Sequence, residues 1–188
     1  MTGPPSIDSF SNHMPPGTYT LDQAPQDGRA DLTVELVGEN WIGWSGGAQM
    51  HDLQGGVSWG IQQYDETVID PCIDRHATTL EGAIRQLSEI PGRVTKAARP
   101  DSALGLTATH LQLSIPVDVT CRAGEYGGGY LMAIWPGPPD PRVTVDVWLL
   151  QDGDRLLILT RGVRGNPPAE MLDSLNRTLD TLRLVATP

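Results

Sequence analysis

Positive charge is scarce in this chain of 188 residues, where Lys and Arg number 13 against 23 Asp and Glu, a net charge of −10. Gripping a phosphate backbone or an anionic lipid surface takes clustered Lys and Arg, so neither is expected as a partner. Long apolar runs are also missing. None approaches the roughly 18 residues of a membrane-spanning helix, so direct membrane insertion is not expected either. Phenylalanine occurs once, as Phe10, beside five Trp and four Tyr. Cysteine occurs only as Cys72 and Cys121. The start of the chain shows no basic-then-apolar leader. An export segment outside this sequence is one reading of that, and a cytoplasmic protein with reduced thiols is the other.

What is present describes a globular protein: 39% hydrophobic and 19% charged residues, enough for a core at this length. Residues 1–16, with Pro4, Pro5, Pro15 and Pro16 and no periodicity, read as a flexible N-terminal lead-in, and 17–188 as a single domain. Thr18–Leu21 and Leu32–Val37 read as strands, the second from its alternation of apolar and polar residues. Val57–Tyr64 alternates too, with Gly55-Gly56 as a hairpin turn before it. Trp41 and Trp44 fall in a glycine-containing turn region.

Thr78-Thr79-Leu80-Glu81 fits a capping box with Thr78 as the cap. Leu80, Ala83, Ile84 and Leu87 then form one apolar stripe, so a helix is predicted up to Pro91-Gly92. Leu104–Ile115 reads as a strand, and Gly127–Gly129 as a loop before Tyr130–Trp135. Val143–Leu150 and Arg155–Thr160 flank Gln151-Asp152-Gly153-Asp154, the strongest hairpin signal in the chain. A second helix is expected from Asn166-Pro167-Pro168 onward, with Met171, Leu172, Leu175, Leu179 and Leu182 on its buried face. This order implies an α+β fold, a mostly antiparallel β-sheet packed by two helices. A lipocalin-like β-barrel with peripheral helices is the alternative.

Both cysteines stand at strand ends, Cys72 after Asp70-Pro71 and Cys121 after Val119-Thr120. That placement fits a staple between neighbouring elements, with two buried free thiols and a chemically active thiol as the other readings. Asp70, Cys72, Asp74 and His76 lie close together, but metal sites need three or four converging ligands and no second cluster supplies them. No metal and no cofactor is therefore expected. Gly124–Gly129 is glycine-rich yet lacks the Lys-Ser/Thr of a phosphate loop. His110, on the face opposite Leu111 and Leu113, reads as a surface histidine; pairing it with Cys121 or Ser114 as a base would need an orienting third group. Glu35 and Asp146 interrupt apolar β-runs and are the two weak candidates for a general base, solvated unless the sheet encloses them. Trp41, Trp44 and Trp135, beside loops, are the candidates for a ligand-binding rim.

Several of these pieces occur together in a set order. Asp70-Pro71-Cys72 precedes the capped helix with Thr79-Leu80-Glu81-Gly82-Ala83, and Ile115-Pro116-Val117-Asp118-Val119-Thr120-Cys121 leads into Gly124-Glu125-Tyr126. The hairpin around Trp148-Leu149-Leu150 and Asp152-Gly153-Asp154-Arg155-Leu156 follows, and then a C-terminal helix. Over about residues 15–185 this resembles a broad group of actinobacterial extracytoplasmic domains, often borne on lipoproteins or downstream of one membrane helix, with PsbP-like architecture. The resemblance implies that fold, export, tethering to a membrane in the members borne on lipoproteins or behind a membrane helix, and a Cys72–Cys121 bridge. It implies no activity. The function expected is a non-catalytic extracytoplasmic module that binds a small ligand or a partner protein. The alternative is a cofactor-free isomerase or cyclase acting on an apolar metabolite in a sheet–helix pocket, so whether the chain is an enzyme stays open.

Overall fold

The structure is a computed structural model, and it describes residues 4–7, 13–21, 32–44, 46–64, 77–89, 94–114 and 142–184. The strands are β1 (His13–Met14), β2 (Gly17–Leu21), β3 (Leu32–Leu36), β4 (Trp41–Trp44), β5 (Gly47–His51) and β6 (Gly55–Gln63). Helix α1 (Leu80–Ser88) follows, then β7 (Val94–Ala103), β8 (Leu106–Ser114), β9 (Val143–Asp152) and β10 (Arg155–Gly165). Helix α2 (Ala169–Thr181) and β11 (Arg183–Leu184) complete the order. The fold is α+β. Among the described residues eight strands form an antiparallel sheet in the order β1-β4-β5-β6-β10-β9-β8-β7, and three more form a small sheet, β11-β3-β2. The large sheet ends on two different edge strands, so the described strands close no barrel. The lipocalin-like alternative is thereby set aside.

The chain separates into two compact units, Met1–Trp59 with Asn166–Pro188, and Gly60–Gly165. In the first, the alternation read at 32–37 is realised in β3, where Leu32, Val34 and Leu36 are buried while Glu35 is exposed. Helix α2 lies along this strand: the Thr178 hydroxyl accepts from Val37 N–H at 3.0 Å, and the Thr181 hydroxyl accepts from Glu35 N–H at 2.9 Å. Near the N-terminus, Ile7 is fully buried, Thr20 N–H donates to Pro5 O at 3.0 Å, and β1 pairs with β4.

In the second unit, Leu111, Leu113, Val145, Val147, Leu149 and Ile158 form one face of β8–β10, and Ala83 and Leu87 of α1 pack on it. The β9–β10 hairpin is where the sequence puts it, with Asp152 paired to Arg155 and Gly153 at φ 57. Glycine leads the two-residue loop, as the type II′ turn requires.

Four local readings are corrected. The cap of α1 is Thr79, whose side chain accepts from Gly82 N–H at 3.2 Å, so the helix starts one residue later than the Thr78 reading. Helix α2 begins at Ala169 rather than from Asn166, because a residue before proline is kept out of helical backbone and two prolines follow in succession. The turn into β6 is built at Asp52, whose Oδ1 accepts from Gln54 and Gly55 N–H at 2.8 and 2.9 Å, and Gly55-Gly56 are already strand. Trp41 and Trp44 lie in a strand, β4, rather than in a turn region.

Candidate functional site

Each unit gathers polar side chains in one defined place. In the second, alternation turns Leu111, Leu113, Val145 and Val147 into the core, so His110, Gln112, Asp146 and Trp148 take the other face. Register then aligns them: Gln112 opposite Asp146, His110 opposite Trp148, Arg161 opposite Asp146, and Arg99 opposite His110. Asp146 Oδ1 faces His110 Nε2 at 3.0 Å and accepts from Gln112 Nε2 at 3.0 Å, while Oδ2 accepts from Arg161 Nη1 at 2.9 Å. Arg99 Nε donates to His110 Nδ1 at 3.2 Å. A guanidinium only donates, so Nδ1 is the bare acceptor and Nε2 carries the proton given to Asp146.

The Trp148 ring lies over the imidazole, with centroids 4.7 Å apart and planes 17° from parallel. Its Nε1 donates to Asp101 Oδ2 at 3.1 Å. The Asp101 carboxyl is held below the ordinary carboxylate range, first by Ser102 N–H at 2.8 Å and then by Trp148, with the charge of Arg99 adding to this.

His110 is therefore not the surface histidine its context implies: it is 5% exposed, covered by side chains from neighbouring strands. A His–Asp pair is half of a nucleophile-activating arrangement. Here the second ring nitrogen is occupied by Arg99, and Ser114 lies four residues along β8, about 13 Å away at ~3.3 Å per residue. The row ties strands together and activates no nucleophile among the described residues.

In the first unit a cleft of about 660 Å³ opens between β1, the β3–β4 turn, β5 and the first turns of α2. The β3–β4 turn needs left-handed backbone at Gly38 (φ 87) and at Asn40 (φ 67). A Cβ on Gly38 would stand 2.5 Å from Ser174 Oγ, so glycine also lets this turn close onto α2. Apolar lining comes from Ile42, Met50 and Met171. Ionisable lining comes from three carboxylates (Glu39, Asp52, Glu170) and two imidazoles (His13, His51), with no Lys or Arg among the described residues lining it. Concave walls that carry three carboxylates focus negative potential and favour a neutral or cationic guest.

The residues singled out in the sequence fall as follows. Trp41 is fully buried and its indole donates to Val37 O at 2.9 Å, so it offers no rim; it holds the turn that walls the cleft. Trp44 lies in β4. Glu35 is exposed on β3 in the first unit, and Asp146 belongs to the second. Trp135, Cys72, Cys121 and the Gly124–Gly129 loop lie outside the described residues, as do Asp70, Asp74 and His76. Among the described residues no group of three His, Cys, Asp or Glu is arranged to hold a metal ion, and no helix is long and apolar enough to cross a membrane. The cleft went unread in the sequence because its lining comes from four separate segments, none with a motif; the two left-handed positions were the only local sign of a tight wall.

No protein-family model matches the chain, and no curated protein matches it. Among solved structures the chain is similar to LpqN, described as involved in cell envelope biogenesis of Mycobacterium tuberculosis. The two are 14% identical, with 92% of this chain and 87% of that one covered and a TM-score of 0.38. That score does not establish a shared fold.

Proposed function

We propose that this chain is a non-catalytic extracytoplasmic module, of the actinobacterial group with PsbP-like architecture that its sequence resembles, and that it binds a small ligand. The observation that carries the reading is the first-unit cleft: about 660 Å³, with Ile42, Met50 and Met171 set beside a few ionisable groups. Ligand pockets are commonly about 300–1,000 Å³ and combine apolar lining with a few placed polar groups. The non-catalytic half is supported by the two carboxylates first considered as bases. Glu35 is exposed on a strand, and both oxygens of Asp146 are engaged by neighbouring side chains. The extracytoplasmic half rests on the resemblance carried by Asp70-Pro71-Cys72, the capped helix and the Asp152-Gly153 hairpin.

A ligand-observed NMR screen with neutral, cationic and anionic amphipathic compounds tests the reading, run beside Met171→Trp, which fills the cleft from α2. Neutral or cationic compounds that bind the parent chain and lose at least tenfold in affinity in Met171→Trp are the expected result. An empty screen, or compounds that bind both proteins equally, would overturn it.

A further inference from the structure

Histidine is the side chain suited to changing charge near neutral pH, and His110 is placed so that a charge change swaps its partners. Nδ1 accepts from Arg99 Nε at 3.2 Å, and Asp101 Oδ2 stands 3.8 Å from the same nitrogen. One nitrogen thus faces a donor that suits the neutral ring and an acceptor that suits the charged one. We propose that His110 is a proton-operated exchange point on the β7 edge of the sheet: protonation at Nδ1 releases Arg99 and draws Asp101 onto the ring.

The other groups facing the ring keep it in place through this exchange. On β9, Asp146 takes the Nε2 proton in both states and Trp148 covers the ring face. On β10, Arg161 neutralises part of the Asp146 charge at 2.9 Å, and on β7 Lys96, opposite Gln112, adds a further cation. Once charged, the ring keeps a carboxylate at each nitrogen, so the proton enters a site that already holds its counter-charges.

The edge strand is built to give. The β7–β8 register is irregular between Val94 and Lys96 and again between Lys96 and Arg99, and such irregularities loosen the ladder where they occur. Arg99 is exposed, so its released guanidinium goes directly into water. Asp101 is on a carboxylate held below its ordinary range and stays ionised while the ring takes its proton. Since Trp148 Nε1 donates to the same Asp101 oxygen, the movement is reported by that indole.

The test is a pH titration of the full chain with ¹⁵N-labelled His and Trp, in which His110→Gln assigns the ring among the four histidines. The expected result is that Nδ1 moves from an acceptor nitrogen to a protonated one, and that the Trp148 indole resonance shifts with the same midpoint. Arg99→Gln removes the competing cation and raises that midpoint; Asp101→Asn removes the incoming anion, lowers it and uncouples Trp148. Both substitutions are at exposed positions of an edge strand, and circular dichroism confirms that each variant is folded. Three results would each overturn the proposal: a midpoint that neither variant moves, a ring that protonates while Trp148 stays still, or a ring that stays neutral until the chain unfolds.

Discussion

Asp146 joins β8 to β10 through a single carboxylate: one oxygen faces His110 Nε2 at 3.0 Å and the other accepts from Arg161 Nη1 at 2.9 Å. Its side chain is 14% exposed, which leaves water little part in replacing either bond. Asp146→Asn sets an amide NH₂ against a donor on one side or the other. It is expected to destabilise the protein by about 1–3 kcal/mol, read by urea unfolding. Glu35→Gln, at an exposed strand position, is expected to stay within about 0.5 kcal/mol of the parent. Equal effects of the two would show that the polar row contributes no stability.

Leu104 begins the β7–β8 turn at φ 56, with Gly105 following at φ 79. Two left-handed residues in a two-residue hairpin make a type I′ turn, which favours Asn-Gly. Leu104→Asn is expected to stabilise the chain by about 0.5–1 kcal/mol, since left-handed backbone is strained for a branched side chain. A fall in the thermal midpoint would show that the half-buried Leu104 side chain outweighs its backbone strain.

Tyr19 is 3% exposed, its hydroxyl donates to Pro15 O at 2.8 Å, and burial pushes its pKa up. A folded pKa above the unfolded one, ordinarily about 10, makes the Tyr19 contribution complete below that pH. It is lost as the pH climbs from there through the folded value. Stability is therefore expected to decline on the alkaline side, and Tyr19→Phe to flatten that decline while costing about 0.5–1.5 kcal/mol at neutral pH. Unfolding midpoints measured from pH 7 to beyond pH 10 read both effects.

The thiols test the compartment. If Cys72 and Cys121 are bridged, as an extracytoplasmic module implies, denatured protein kept non-reducing takes up no alkylating label by intact mass. Reduction then adds two labels and lowers stability by about 4 kcal/mol on the loop-entropy model. Two labels before reduction would mean free thiols and would favour a cytoplasmic protein.

Legibility in the sequence followed the range of the interaction. The β9–β10 hairpin and the alternation of β3 were readable because turn chemistry and one buried face act over a few residues. Helix α1 was readable from its stripe, though the cap was misplaced by one threonine in a Thr-Thr pair. Strand β7 left no such signal, because Val94–Ala103 is a largely exposed edge strand carrying Lys96, Arg99 and Pro100. The burial of His110 is illegible in the sequence for a related reason. Its cover comes from Arg99, Asp146 and Trp148 on strands whose register no local pattern reveals. Trp41 has the local context of a rim residue because glycines stand near it, whereas its place at the start of β4, a strand flanked by β1 and β5, leaves the ring fully buried.

Ligand binding in the cleft is read directly by mapping amide shifts of the ¹⁵N-labelled chain against the best neutral or cationic compound. Perturbations are expected to concentrate at Gly38–Ile42, at Met50–Asp52 and over the first turns of α2, with His13 alongside. Perturbations centred on the β7–β10 face, or scattered without a focus, would contradict it.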